Sequence, residues 1–211
     1  MLQSKESERL LNPTISKEEV NRLPLIRYSG KVEVVANCKD VSTALKSIRQ
    51  EKLLGFDTET RPTFRKGENH HPALVQLATS DAVYLFQLQR LASLSTLMEL
   101  LSNGAITKAG VAIENDIRKL NQLCPFTPSG FIELSTLSKQ IGIKNTGLRN
   151  LAAIVLNFRV SKGAQITNWS RNELTDSQIL YAATDAWICR LLYIYLAPRV
   201  DSTPTGTSNE N

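Results

Sequence analysis

Short apolar runs typical of β-strands dominate the first half of the chain. Strands are predicted at four of these runs, residues 28–36, 53–60, 73–79 and 83–86. Ser80 and Asp81 separate the last two runs, which therefore pair most simply as an antiparallel hairpin. Between the first two runs, apolar residues at helical spacing follow Asp40, which is predicted to cap a helix.

Helical and strand-like patterns alternate in the second half of the chain. Leucines at helical spacing over residues 91–101 precede a buried strand at 106–112, and another strand is predicted at 131–132. Further helices are predicted over residues 117–123, 134–141, 148–156 and 175–196. The last of them is capped by Thr175 and stopped by Pro198. A hairpin combined with alternating helices and strands predicts an α/β fold, a mixed β-sheet flanked by helices.

The two ends of the chain are more polar than the middle. Residues 1–24 are predicted to form a partly ordered lead-in, with a short helix that starts near Ser16 and ends before Pro24. Residues 25–198 are predicted to form one domain. Residues 199–211 are rich in Ser, Thr and Asn and have no apolar anchor, so a disordered tail is predicted there.

Composition narrows the class of protein. A chain of 211 residues with 42% hydrophobic and 21% charged residues fits one globular domain, and a net charge of +5 slightly favours a polyanionic partner. No signal peptide and no apolar run of membrane-spanning length is expected, so we predict no membrane partner and a cytoplasmic location. Neither a disulfide framework nor a zinc site is predicted, because the cysteines lack C-x-x-C spacing: Cys38, Cys124 and Cys189.

Two carboxylates interrupt the predicted strand at 53–60. Asp57 and Glu59 are two residues apart, so their side chains point to the same face, roughly 6–7 Å apart along the strand. Two like charges on one face are costly to bury unless the face is open to water or a cation lies between them. A solvated strand face and a divalent metal site both fit these two residues alone.

The predicted last helix contains a second unusual carboxylate. Residues 178–197 are apolar almost throughout, and Asp185 is the only acidic residue among them. A helix that is apolar on nearly all sides is buried, so Asp185 needs a structural partner or a cation. Tyr181 lies four residues earlier and shares its helix face. A buried Asp bonded to Tyr181 or to Arg190 is the alternative at this point.

A third carboxylate, Asp116, lies where a buried strand is predicted to run into a helix. Alone it fits an ordinary capping or first-turn Asp, and Glu114 competes with it for any other role. The order of the set changes this interpretation: D-x-E on a strand, an Asp at a strand-to-helix junction, and Y-x-x-x-D on a late helix. Four converging carboxylates suit two divalent cations, since Mg²⁺ prefers oxygen ligands and keeps positions open for water and phosphate.

Three segments together resemble the exonuclease motifs of the DEDD superfamily, in the subgroup with Tyr in the third motif: residues 56–60, 110–116 and 181–185. Residues 72–78 and 168–170 are also similar to ribonuclease D and the Werner-syndrome-type exonuclease domain. The resemblance covers about residues 25–197. It implies a ribonuclease H-like fold and stepwise hydrolysis of phosphodiester bonds from the 3′ end of DNA or RNA.

The resemblance also implies two Mg²⁺ or Mn²⁺ ions and a role for each motif residue. Asp57 would bridge the two ions. Glu59 and Asp185 would hold the ion that binds the attacking water, which Tyr181 would orient. Asp116 would support the ion that stabilises the departing 3′ oxygen. These five residues are the expected catalytic set, and the four carboxylates are the expected metal ligands.

Substrate contacts are expected around this set. By the same resemblance, the backbone around Thr58 and Thr60 meets the terminal nucleotide. Basic residues in two loops predicted to flank the site are candidates for phosphate binding: Arg65, Lys66, Arg159 and Lys162. Nucleic-acid 3′ ends are therefore the expected partner, and no required protein partner is expected.

Other features have simpler interpretations. His70 and His71 are adjacent, so they face opposite ways in an extended chain and make a poor metal pair. Trp169 is expected to anchor its loop, with stacking on a base as the alternative. The alternative to an enzyme is a non-catalytic nucleic-acid-binding or protein-binding module on the same fold, which the costly carboxylate cluster disfavours. Most aromatic residues of the last helix are expected in the core: Tyr181, Trp187, Tyr193 and Tyr195.

Overall fold

The computed structural model describes residues 11–63 and 69–202. The strands within these residues are β1 (Lys31–Val35), β2 (Leu53–Thr60), β3 (Pro72–Ala78), β4 (Ala82–Gln87), β5 (Thr107–Gly110) and β6 (Phe131–Glu133). The helices are α1 (Lys17–Arg22), α2 (Cys38–Ile48), α3 (Ser95–Leu101), α4 (Glu114–Leu123), α5 (Leu134–Gln140), α6 (Leu148–Leu156) and α7 (Asp176–Asp201). A 3₁₀ helix, Leu88–Arg90, follows β4.

The six strands form one mixed sheet in the order β1-β4-β3-β2-β5-β6. Neighbours among β2, β3 and β4 are antiparallel, whereas β1, β5 and β6 join the sheet by parallel pairing. The predicted combination of an antiparallel hairpin with parallel strands is confirmed. The pairing of β2 with β5 ends at Gly55. The second half of β2 therefore extends past the parallel strands, and this extension carries both of its carboxylates.

Helices cover both faces of the sheet. On one face, α2, α3 and α4 contribute Leu45, Leu97 and Leu120 to a core that also contains Phe56 of β2. On the other face, α7 packs across β2, β3, β4 and β5, with α5 and α6 beside it. The molecule thus has three layers, and α7 is the helix that lies directly against the central strand.

Gly55 explains how closely α7 approaches β2. A Cβ atom at this position would lie 1.9 Å from the carbonyl oxygen of Ala186 and 2.8 Å from the amide nitrogen of Arg190, both in the α7 backbone. Only glycine leaves room for a helix backbone at this distance. The contact also shows that Gly55, and with it the alternate residues Asp57 and Glu59, faces α7.

Helix α7 corrects two expectations. Pro198 lies inside it and does not stop it, because the proline is exposed near the last turn, where little of the helix depends on its missing amide. With 26 residues and a mean hydropathy of 1.3 in its most apolar window, α7 is long and apolar enough to cross a membrane by length and composition alone. The expectation that no such run exists was therefore wrong. Half of that window is buried inside the protein, as in a core helix.

Some predicted boundaries also move. Asn37, and not Asp40, caps α2, since its side chain accepts a hydrogen bond from the Asp40 amide. Ser16 caps α1 as predicted, with Glu19 completing the capping box. The segment before α1 is bonded to the chain that precedes α6, through Ile15 N to Asn145 Oδ1 at 2.8 Å.

Candidate active site

Strand β2 and helix α7 bring three carboxylates together. Asp57 and Glu59 project from the same face of β2, and Asp185 reaches them from α7, which the Gly55 contact holds against the strand. One carboxylate oxygen from each of the three lies within 4.8 Å of the others. The predicted alternation along β2 and the predicted burial of Asp185 are both confirmed, since Asp185 is only 6% exposed.

The surroundings of Asp185 decide between its two interpretations. Burial raises the pKa of Asp185 to about 7, although a hydrogen bond from Tyr181 and the charge of Arg149 lower it. Arg190 is not its partner: the Arg190 Nε donates to the Leu53 carbonyl oxygen at 3.4 Å. Of the two structural partners considered for Asp185, the structure therefore has Tyr181 and not Arg190. Within residues 11–63 and 69–202, Asp185 forms no buried ion pair, and it faces the other carboxylates.

The cluster is electrostatically unfavourable without a cation. Burial raises the pKa of Asp57 well above its ordinary value, and the charges of Asp185 and Asp116 raise it further. Burial together with the three neighbouring carboxylates raises the pKa of Glu59 to about 10. At neutral pH these groups therefore resist carrying all of their charges at once. Their donors are carboxylate oxygens only, the ligands that Mg²⁺ and Mn²⁺ prefer, so the residues fit a divalent cation.

Asp116 lies beside the three-carboxylate cluster and outside its 4.8 Å radius. It is in the first turn of α4, where burial raises its pKa to about 6 while the Thr58 side chain and the charge of Lys119 lower it. Its charge still raises the pKa values of Asp57 and Glu59. Glu114 is exposed, so Asp116 is the α4 carboxylate that reaches the site.

An unusual turn holds Asp116 in place. Ala112 has a φ of 59°, a left-handed conformation that costs a non-glycine residue roughly 1–2 kcal/mol. Glu133, at the end of β6, accepts hydrogen bonds from the backbone amides of Ala112 and Ile113, both at 2.9 Å. These bonds fix the turn that leads into α4. The role of Glu133 was missed by sequence reasoning because its partners are 20 and 21 residues away.

A cleft opens above the cluster, with a cavity volume of about 510 Å³. This size suits a small ligand or a terminal nucleotide, since ligand sites span roughly 300–1,000 Å³. Asp57, Glu59, Tyr181 and Asp185 are among its lining residues. The start of α6 and the loop before α7 also contribute lining residues: Gly147, Leu148, Arg149, Asn150, Lys162 and Gln165. Arg149 thus places a cation in the same cleft as the carboxylates, near enough for its charge to lower the pKa of Asp185, and nothing in its local sequence predicted this.

A family model described as 3′–5′ exonuclease matches residues 32–201, which is most of the chain. The chain belongs to this 3′–5′ exonuclease family. The resemblance to the DEDD superfamily is therefore confirmed. Proteins of the 3′–5′ exonuclease family depend on divalent metal ions, and the carboxylate cluster of this chain fits such ions.

This member of the 3′–5′ exonuclease family has relatives that are longer proteins. The bifunctional 3′-5′ exonuclease/ATP-dependent helicase WRN of Mus musculus is 31% identical over 200 residues, covering 90% of this chain and 14% of that protein. Ribonuclease D of Haemophilus influenzae is 27% identical over 206 residues, and the match covers 90% of this chain and 50% of that protein. The crystal structure of Escherichia coli RNase D matches with a TM-score of 0.75 at 20% identity. This match covers 81% of this chain and 45% of the RNase D chain. The fold is thus that of RNase D, and the chain spans half or less of these proteins.

Only some of the residues predicted to bind substrate line the cleft. Thr58 and Lys162 line the cleft. Thr60 is not among its lining residues and lies at the end of β2, where the pairing register shifts. Arg159 is bonded elsewhere, since its Nε donates to the Leu23 carbonyl oxygen at 3.0 Å, so a phosphate-binding role for it is not supported. Two of the predicted residues lie outside the described part of the chain: Arg65 and Lys66.

The remaining aromatic and histidine candidates are structural. Trp169 is 1% exposed and packs 6.1 Å from the ring of Tyr181, so it anchors its loop and is not available to stack on a base. Trp187 was predicted in the core, but it is partly buried and packs against Phe158 beside the core. The Nδ1 of His71 lies 3.3 Å from the Lys119 carbonyl oxygen, which does not suggest a metal ligand.

Proposed function

We propose that this protein is a metal-dependent 3′–5′ exonuclease that hydrolyses phosphodiester bonds at the 3′ ends of nucleic acids. The observation that carries the proposal is the convergence of Asp57, Glu59 and Asp185, whose oxygens lie within 4.8 Å of one another. Membership of the 3′–5′ exonuclease family supports it. The alternative, a non-catalytic binding module, is disfavoured because such a module gains nothing from a buried cluster of like charges.

Two Mg²⁺ or Mn²⁺ ions are the proposed cofactors. Asp57 is the ligand proposed to serve both ions, Glu59 and Asp185 are assigned to one, and Asp116 to the other. When bound, such ions supply a water nucleophile at neutral pH and stabilise the charge that develops on the leaving oxygen. The off-centre position of Asp116 is consistent with a separate ligand for the second ion.

Tyr181 is proposed to orient the attacking water, as in the superfamily subgroup with Tyr in the third motif. Burial raises the pKa of Tyr181 far above its ordinary value, and the charges of Asp185 and Glu59 add to the effect. Its hydroxyl therefore stays protonated at neutral pH. A neutral hydroxyl beside Asp185 can hold a water by hydrogen bonding without competing for a cation.

The cleft supports binding of a polyanionic chain. Lys162 and Arg149 line the same cleft as the carboxylates and supply positive charge for a phosphate. Arg149 is thus added to Thr58 and Lys162 in the proposed substrate-binding set. Either RNA or DNA ends are proposed as substrate. Escherichia coli RNase D is described as an exoribonuclease involved in structured RNA processing, which makes RNA the first substrate to try.

The proposal is tested with 5′-end-labelled RNA and DNA, single-stranded and duplex, in Mg²⁺, Mn²⁺ or EDTA. A ladder that shortens from the 3′ end is expected with metal, and intact substrate with EDTA. Asp57→Asn should abolish the ladder, whereas Glu114→Gln, which neutralises an exposed carboxylate, should leave it unchanged. Degradation that survives EDTA or the Asp57→Asn substitution would disprove the proposal.

A further inference from the structure

Gln76 of β3 is a fully buried glutamine with an unsatisfied amide. Its exposed fraction is 0%, and neither Nε2 nor Oε1 has a hydrogen-bond partner among residues 11–63 and 69–202. A buried amide without partners loses its hydrogen bonds to water and gains none in return. Most buried polar side chains are satisfied, so an exception of this kind requires a reason.

The position of Gln76 suggests that reason. In the β2–β3 pairing, Gln76 lies directly opposite Asp57, and the neighbouring pairs are Gly55 with Ala78 and Glu59 with Leu74. Residues directly opposite each other in an antiparallel pair project to the same face, with Cβ atoms about 4.5–5.5 Å apart. Since Gly55 faces α7, Asp57 and Gln76 both point beneath that helix.

The surroundings of Gln76 offer it little else to bond. Leu74 and Ala78 flank it on the same face of β3, and Leu85 lies opposite it on β4. Three α7 residues in the same apolar cluster as Leu74, Ala78 and Leu85 are alanines, which offer no side-chain hydrogen bond: Ala182, Ala183 and Ala186. A buried water needs two to four polar partners, which these apolar neighbours do not provide. The pairing of β3 with β2 therefore places the Gln76 amide next to the carboxylate of Asp57.

We propose that Gln76 is a positioning residue for Asp57, whose carboxylate accepts a hydrogen bond from the Gln76 amide when the site is loaded with metal. This inference rests on the proposed function, because it takes Asp57 to be a metal ligand. Groups that hydrogen-bond to a ligating carboxylate fix which oxygen faces the ion and tune metal affinity. A neutral amide does this without adding a cation that would compete with the metal.

A second buried glutamine provides the matched control. Gln87 on β4 is 5% exposed, but its Nε2 donates to the carbonyl oxygens of Arg171 and Asn172, both at 3.3 Å. It shows how a structural glutamine is satisfied in this fold. Methionine is close to glutamine in size and removes the amide, so Gln76→Met and Gln87→Met make the same chemical change at the two positions.

The experiment measures thermal unfolding of the full chain in EDTA and during titration with Mn²⁺, together with Mn²⁺ binding followed by electron paramagnetic resonance. In EDTA, Gln76→Met should melt at or above the wild-type temperature, because it removes an unsatisfied amide. Its Mn²⁺ midpoint should rise by roughly 10- to 100-fold. Gln87→Met should melt below the wild type and bind Mn²⁺ with an unchanged midpoint.

Two results would overturn the inference: a wild-type Mn²⁺ midpoint for Gln76→Met, or a loss of melting temperature in EDTA equal to that of Gln87→Met. If Gln76→Met does not fold, Gln76→Asn provides a second variant, because it withdraws the amide from Asp57 by one methylene and should raise the same midpoint. A wild type that binds Mn²⁺ but degrades no nucleic acid would refute the proposed function and leave the Gln76 test standing.

Discussion

Tyr181 combines two properties that are rarely found in one side chain at a carboxylate cluster. Its ring packs against buried Trp169, while its hydroxyl lies beside Asp185 at the edge of the cleft. Packing fixes the ring, so the hydroxyl has a defined position before any substrate arrives. Positioning of this kind contributes to catalysis through orientation and without any change of charge.

Tyr181→Phe should therefore keep the fold and slow the reaction. The ring and its contact with Trp169 are retained, so the melting temperature should change little. Turnover should fall by an amount on the order of 10- to 1000-fold, as expected for a lost positioning group. Single-turnover assays at saturating Mn²⁺ measure this, with Tyr193→Phe on the core side of α7 as the control. A wild-type rate for Tyr181→Phe would make its hydroxyl a structural feature only.

The site residues divide by whether they carry a local pattern. Asp57 and Glu59 were predictable because side chains alternate along a strand, and Asp185 because a single acid in an apolar helix is anomalous. Arg149 was not predictable, because an arginine at the start of a helix is ordinary. Gln76 was also not predictable, since whether a buried amide finds partners depends on the neighbouring strands and not on its own sequence.

At the level of elements, the contact between β2 and α7 determines the geometry of the cluster. Two of its carboxylates are on the strand and one is on the helix, so any change in their separation changes the distances among the oxygens. At Gly55 the two backbones approach too closely to leave room for a Cβ atom. The same residue therefore controls the stability of the interface and the shape of the site.

Gly55→Ala should damage both stability and metal binding. The added methyl group has no space, because its position lies 1.9 Å from the Ala186 carbonyl oxygen, so α7 must move away. Overpacking of this kind costs about 1–3 kcal/mol or more, and about 3 kcal/mol would lower the melting temperature by roughly 6–12 °C. Mn²⁺ should then stabilise the variant less than the wild type in the same melting assay.

Gly147→Ala is the control for stability, since a Cβ there meets nothing within 4 Å and the φ of −71° is ordinary, so only the modest cost of alanine at the N-cap of α6 is expected. Equal melting temperatures for Gly55→Ala and the wild type would show that α7 can withdraw from β2 at no cost. If Mn²⁺ stabilised Gly55→Ala as much as the wild type, the geometry of the carboxylate cluster would not depend on this interface.

Element types were easier to predict than their ends. The eight-residue strand β2 and the helix α6 were predicted with the bounds that the structure has, because apolar spacing marks them strongly. Pro198 was expected to end α7, but a proline near an exposed helix end removes only one internal hydrogen bond. The α2 cap was misplaced by three residues, since both Asn37 and Asp40 have capping chemistry.

For the whole molecule, the carboxylate cluster links stability to pH. The folded-state pKa values of Asp185 and Glu59, about 7 and about 10, exceed their ordinary values near 4. A raised pKa means that the folded state binds more protons, so this stabilising effect is fully present at acidic pH and is lost as pH rises through the folded pKa values. Bound divalent metal has the opposite effect on stability, because the ionised carboxylates of the folded state then have a cation to bind.

Asp185→Asn should therefore gain stability relative to the wild type as pH rises from 5 to 9 in EDTA, since it removes one of the mutually repelling charges. With Mn²⁺ at a hundredfold excess over Kd, the wild type should gain about 2.7 kcal/mol, and the variant should lose most of this gain. Melting curves at each pH, with and without metal, measure both effects.

Glu114→Gln on the exposed face of α4 should follow the wild type under all of these conditions. A loss of stability in Asp185→Asn that is the same in EDTA and in Mn²⁺, at every pH, would instead identify Asp185 as a structural hydrogen-bonding group. The metal-site assignment would then be wrong.

The arrangement of the sheet was beyond what local patterns can predict. The hairpin of β3 and β4 followed from a short turn, but the order β1-β4-β3-β2-β5-β6 places β1 beside β4 and β5 beside β2. These pairings join segments far apart in the chain, and each depends on how the helices between them pack. The sequence predicted a mixed sheet, but which strands are neighbours could be determined only from the structure.

The division of the carboxylates between β2 and α7 also has a consequence for the order of folding. Asp57 is synthesised before Asp185, because β2 precedes α7 in the chain. Domains are synthesised from the N-terminus, and contacts between distant segments form late. A nascent chain that still lacks α7 therefore has an incomplete carboxylate cluster, so the proposed metal site can form only once α7 has been synthesised and has packed on β2.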